Sequence, residues 1–203
     1  GCLDRVETAL RGAATDRARD VDLEMAANLR RLVLRDFPAD TSDGLDAVAR
    51  GFNARDRSMY ENLRWQLARL PRGAKVIVWC ANNHAAKELR SVPGLERRVP
   101  LGSYIHRDFG DAAFAAATTA YAGSYALGRH PAQTWPPAPP GSLESRTLQG
   151  DVVPARYLPA RWLRQFGPVP SRVLGTTFAT AAWAHVLDGV VVFRDDALPH
   201  PLP

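Results

Sequence analysis

The chain has 203 residues, 46% of them apolar, and a formal charge of +5. That is enough apolar material for one core and predicts a single domain over 1–203. The positive charge is arginine almost throughout, with Lys75 and Lys87 the only lysines, and it is scattered along the chain. A nucleic-acid surface needs cations gathered on one face, so nucleic acid is excluded as a partner. No apolar run reaches the ~20 residues of a membrane span. Cys2 and Cys80 stand too far apart for a disulfide framework or a metal-ligand spacing, so no metal is expected. No signal-peptide pattern is recognised in the sequence, and a cytoplasmic location is expected.

The chain opens without methionine, inside a helical pattern from Leu3 to Arg11. This reads as a cut rather than a natural start. From Val21 to Phe37, Met25, Leu29, Leu32 and Val33 recur at helical spacing until Pro38 ends the pattern. Thr41-Ser42-Asp43-Gly44 then supplies turn and capping residues before a second long helix. Its stripe comprises Leu45, Val48, Phe52, Met59, Leu63, Leu67 and Leu70. Asp56 falls near the centre of that stripe, with Arg55 and Asn62 at its edge. A carboxylate on a core-facing stripe must be paired, which leaves a structural Asp–Arg pair and a site-lining role both open.

Ala74-Lys75-Val76-Ile77-Val78-Trp79-Cys80 is a short, β-branched apolar run after a Pro-Arg-Gly turn. Such a run predicts a strand buried on both faces, as in a parallel sheet covered by helices. Cys80 within it would act as a small hydrophobe. Polarity changes abruptly at Asn82-Asn83-His84. In open α/β sheets ligands bind beyond the carboxyl ends of strands, so these residues fall where the architecture puts chemistry. His84 could take a proton from water; alternatively Asn82 or Asn83 caps the next helix and His84 lies in its first turn.

Further on, Leu101 to Phe109 predicts a helix stopped by Gly110, and Phe114 to Tyr121 a strand. His130 to Ser142, with five prolines, predicts a loop without regular structure. Asp151 to Phe166 predicts a short helix, and Val190 to Phe193 a closing strand entered from Asp188-Gly189. The sum is an α/β protein with a mostly parallel sheet flanked by helices and a helical N-terminal third. His106 is expected to be solvated, and His185, near Trp183, to be packed or interfacial rather than a base. No nucleophile elbow surrounds Ser103 or Ser124, and Gly51, Gly73 and Gly102 are isolated, so no phosphate loop and no cofactor are expected.

Several of these segments resemble one family. Arg55-Asp56-Arg57-Ser58-Met59-Tyr60-Glu61-Asn62 is similar to the R-D-x-x-M-x-x-N helix of the erythromycin esterases. Trp79-Cys80-Ala81-Asn82-Asn83-His84 resembles their W-A-H-N-x-H strand end, and Leu101-Gly102-Ser103-Tyr104 their M-G-x-Y-L helix start. Arg172-Val173-Leu174-Gly175 and Leu187-Asp188-Gly189-Val190-Val191-Val192-Phe193 are similar to the segments that close the fold. Two departures stand out: Ala81 takes the place of the first motif histidine, and the family's N-terminal G-E-x-x-H-G motif is absent. The resemblance implies the C-terminal half of an α/β hydrolase that opens an ester or macrolide lactone by histidine-assisted attack of water. It implies His84 as catalytic residue, with Asn82, Arg55, Asp56, Asn62 and Tyr104 binding substrate or bracing the site. The missing N-terminal half of the same domain would be its partner. A non-catalytic relative that binds a small ligand is the alternative, favoured by Ala81.

Overall fold

The computed structural model describes residues 2–13, 15–36, 44–126, 131–150 and 152–197. Three helices come first: α1 (Cys2–Gly12), α2 (Arg17–Asp36) and α3 (Leu45–Leu67). This is the helical third expected from the spacing. The predicted ends at Phe37 and Pro38, and the turn residues 41–43, lie outside the described residues. α1 packs on α2 and α2 on α3. The expected apolar face of α2 is not buried, since Met25, Leu29, Leu32 and Val33 are all exposed. The described helices contact one another through other positions and leave that stripe to water.

The principal sheet contains β1 (Ala116–Tyr125), β2 (Gln133–Trp135), β3 (Ala155–Pro159) and β6 (Gly189–Asp196), in the order β2-β1-β6-β3. Only β1 and β6 run parallel, Ala116 opposite Gly189 and Thr119 opposite Val192; β2 and β3 pair antiparallel on the two sides. The fold is α/β, but its sheet is mixed rather than mostly parallel. Two of its strands come from segments expected to lack them. β2 forms within the proline-rich stretch because Gln133-Thr134-Trp135 precedes the first of its paired prolines. β3 occupies the start of the predicted 151–166 helix, and α7 (Ala160–Phe166) begins only after Pro159. A second, two-stranded sheet joins β4 (Val169–Ser171) and β5 (Ala179–Ala181).

The central correction concerns residues 74–80. The run has no regular secondary structure and pairs with no described strand, and its side chains face solvent, Ile77 at 91% and Trp79 at 92% exposure. β-branched content favours a strand only where neighbours supply ladder bonds and cover. The described residues supply neither. Beyond it lie α4 (Asn82–Ala85) and α5 (Leu101–Phe109), then α6 (Leu143–Leu148) and α8 (Trp183–Val186) in the later part of the chain.

The core lies under the β1–β6 pair. Val190 and Val192 meet Leu89, Val92, Leu143, Leu158, Leu163 and Trp183 there. Trp183 is fully packed and donates its indole N–H to the Val169 carbonyl at 2.8 Å. His185, by contrast, is exposed rather than packed. No helix among the described residues is long and apolar enough to cross a membrane.

Candidate functional site

Helical spacing places Phe52, Arg55 and Asp56 on one side of α3, at i, i+3 and i+4. α4 is a single turn, and it turns His84 towards that side. Asp56 is completely buried, whereas Arg55 is 44% exposed. His84 Nδ1 lies 2.8 Å from Asp56 Oδ1 and 2.9 Å from Oδ2. Oδ2 also accepts the N–H of Leu101, the first residue of α5, at 2.7 Å. The imidazole stacks on Phe52, ring centroids 5.0 Å apart and planes inclined by 11°. Arg98 sits over the same phenyl ring.

The position of α5 depends on Gly102. A Cβ there would stand 2.2 Å from the Ala85 carbonyl oxygen and 2.4 Å from that of Ala86, both backbone atoms that cannot yield easily. Glycine therefore lets α5 seat directly against the end of α4. The Leu101 N–H and the His84 ring are thereby brought onto one carboxylate.

The hydrogen-bond partners assign the tautomer. A carboxylate only accepts, so Nδ1 carries the proton and donates to Asp56. Nε2 then presents a lone pair, and the Arg55 guanidinium donates to it at 2.6 Å. A buried carboxylate that fixes the imidazole and leaves Nε2 unprotonated is the arrangement a general base requires. Arg55 covers that lone pair. The Asp–Arg pair considered from sequence is not formed closely: Arg55 Nε is 4.0 Å from Asp56 Oδ1, and His84 is the nearer partner.

The other residues singled out from sequence have other partners. Asn82 neither orients His84 nor caps α4. Its amide donates to the carbonyls of Thr118 and Val173, both at 2.6 Å, tying α4 to β1 and to the segment after β4. Asn62 accepts from Arg31 of α2 at 3.1 Å. Tyr104 stacks on Tyr60, which donates to the Asp108 carboxylate. Burial, and then the neighbouring Asp108, raises the Tyr60 phenol pKa; Arg107 and Tyr60 lower that of Asp108 to about 2. Cys80 is partly buried, and burial together with the Asp56 charge pushes its thiol up, away from the nucleophilic thiolate.

Sequence reasoning missed the roles of Phe52, His106, Glu144 and Arg172. Phe52 was placed on the helix stripe but not recognised as the platform for His84; its i to i+4 relation to Asp56 was the available signal. His106 is not solvated: its ring bonds Gly102 and Asp188. Glu144 and Arg172 form a buried polar network, Glu144 Oε1 accepting from Thr119, Ser171 and the Arg172 N–H. Burial lowers the Arg172 pKa, partly offset by the Glu144 charge. Among the described residues no group of three or more His, Cys, Asp or Glu side chains could hold a metal ion.

Comparison with known proteins bears on this geometry. The sequence model of the erythromycin esterase family matches residues 2–199. No curated protein matches the chain. Among solved structures it is similar to a succinoglycan biosynthesis protein, with TM-score 0.73 and 16% identity over 96% of this chain and 48% of that one. It is similar to a Bacillus cereus protein, with TM-score 0.61, 16% identity and coverage of 96% and 55%. A histidine-to-asparagine mutant of the erythromycin esterase EreC, in its open conformation, gives TM-score 0.59 and 15% identity over 94% and 50%. At such identities the structures establish the shared fold alone. The chain spans about half the length of each of them. With nearly its whole length matched by that family model, the chain belongs to the erythromycin esterase family.

Proposed function

We propose that this chain forms one half of an ester hydrolase in which His84 activates water against an ester or macrolide lactone. The observation that carries the proposal is the line from Asp56 through His84 to Arg55, with the base nitrogen turned towards an exposed guanidinium. In this reading water displaces one Arg55 N–H from Nε2. The imidazole takes a proton as the water oxygen bonds to the carbonyl carbon, and Asp56 stabilises the resulting imidazolium. The freed Arg55 donors face the oxyanion that develops, as cationic donors do in acyl-transfer sites. Collapse of the adduct breaks the C–O bond, and His84 returns the proton to the departing alkoxide, giving an acid and an alcohol.

The working molecule contains a second half. Its support is the exposed, unpaired run 74–80 together with the half-length match to the solved structures. A strand from that half would pair with the run and cover Ile77 and Trp79, closing the cleft above His84. The test is hydrolysis of a macrolide and of a simple aryl ester by the chain supplied with the remainder of the domain. Turnover should fall by ~10²–10⁴ in His84→Ala. Turnover equal to that of the unsubstituted protein would refute the assignment.

A second reading is a ligand-binding relative without turnover. It is favoured by Ala81, which can neither accept a proton nor hold water, and by the guanidinium resting on Nε2. Here the same macrolides would raise the melting temperature without being consumed.

A further inference from the structure

An open pocket of about 590 Å³, lined by His106 of α5 but by none of Phe52, Arg55, Asp56 or His84, is not used by the hydrolytic reading. We propose that it is a second binding site, taking a small carboxylate that carries an apolar group. Its volume is in the range of small-molecule sites. Its floor is Asp188, which accepts from Lys87 Nζ at 2.6 Å, His106 Nε2 at 3.1 Å and the Ala115 N–H at 2.9 Å. His106 Nδ1 faces the Gly102 carbonyl at 2.9 Å. Both ring nitrogens of His106 thus face oxygen atoms already within the protein. Lys87 donates also to the Ala184 carbonyl, which leaves one ammonium N–H unassigned.

Arg161 stands on the rim, exposed and without an ion pair among the described residues, and offers the planar fork that suits a carboxylate. Asp111 also lies on the rim, but Lys87 and His106 are already held by Asp188, so Arg161 is the cation placed to meet an anion. The remaining wall is apolar. Phe114 is 64% exposed, and the Tyr157 ring lies over the start of β6. That ring position depends on Gly189, where a Cβ would be 2.6 Å from the ring edge. The glycine thus keeps the aromatic wall in place beside the charged floor and Arg161, so the pocket has a charged half and an apolar half.

The test is titration of the protein with benzoate, followed by ligand-observed NMR and calorimetry, against benzyl alcohol and acetate. Benzoate should bind more tightly than either comparator. Arg161→Gln, an exposed change that leaves the core intact, should weaken benzoate about threefold to fivefold. Phe114→Ser should weaken it as well, and Arg57→Gln, on the exposed side of α3, should leave it unchanged. Benzyl alcohol or acetate binding as well as benzoate, or benzoate binding indifferent to Arg161→Gln, would overturn the assignment.

Discussion

Replacing Asp56 by asparagine removes the charge that holds the site together while keeping nearly the same volume. The carboxylate is wholly buried, takes the His84 Nδ1–H and the Leu101 N–H on Oδ2, and has Oδ1 2.8 Å from the same ring nitrogen. An amide can preserve one acceptor but sets an NH₂ group where the second oxygen was, against either His84 or the α5 N-terminus. Removing the acceptor of a buried hydrogen bond costs ~1–3 kcal/mol, towards the upper end where the acceptor was charged. With one hydrogen bond retained, about 2–3 kcal/mol is expected. For a chain of this length each kcal/mol moves the melting temperature by ~2–4 °C, so the transition should fall by roughly 4–12 °C. Thermal and urea unfolding of Asp56→Asn, His84→Ala and the double variant give the assay. The double variant should be less destabilised than the sum of the singles by at least ~1 kcal/mol, since the pair is lost once. Additivity within ~0.5 kcal/mol, or an Asp56→Asn protein as stable as the parent, would refute the coupling.

Three other outcomes follow from the geometry. Gly102→Ala drives a Cβ into two backbone carbonyls of α4 and should cost ~1–3 kcal/mol by displacing α5; unchanged urea unfolding would contradict that close approach. Trp79→Arg changes a side chain 92% exposed and should leave the chain's own stability within ~0.5 kcal/mol, yet it should abolish association with the other half of the domain, measured by sedimentation. For Asp188, burial pushes the carboxyl up, but the Ala115 N–H, Lys87 and His106 outweigh it and hold the group below the ordinary aspartate range. A depressed folded value means stabilisation above the unfolded aspartate pKa of ~3.9 that disappears as pH falls through the folded one. The difference in melting temperature between the parent and Asp188→Asn should therefore shrink below about pH 4, and a constant difference would count against the network.

The sequence was most legible where one element decides the outcome alone. Helical spacing located α2 and α3, a stop at Gly110 marked the end of α5, and the α3 stripe placed Asp56 on a buried face before any partner for it was visible. His84 was found because a change of polarity after an apolar run marks where polar groups cluster. The rest depended on what touches what. Residues 74–80 have the composition of an internal strand, but pairing is supplied by other strands, and no local pattern states whether those are present. β3 was hidden because Leu158, Trp162 and Leu163 suit a helix until Pro159 resets the chain. Asn62, Asn82 and Tyr104 belong to recognisable motifs, yet their partners are Arg31, the Thr118 and Val173 carbonyls, and Tyr60. Motif membership placed them near the right elements without saying which way each side chain would turn.

The account rests on the orientation of one imidazole, and ¹⁵N NMR of histidine-labelled protein at neutral pH reads it directly. His84 should show a protonated Nδ1 and an unprotonated Nε2, and Arg55→Ala should alter the environment of Nε2 while leaving the Nδ1 proton in place. A proton on Nε2 with Nδ1 bare would mean that Asp56 does not hold the ring, and the proposed base would then face the wrong way.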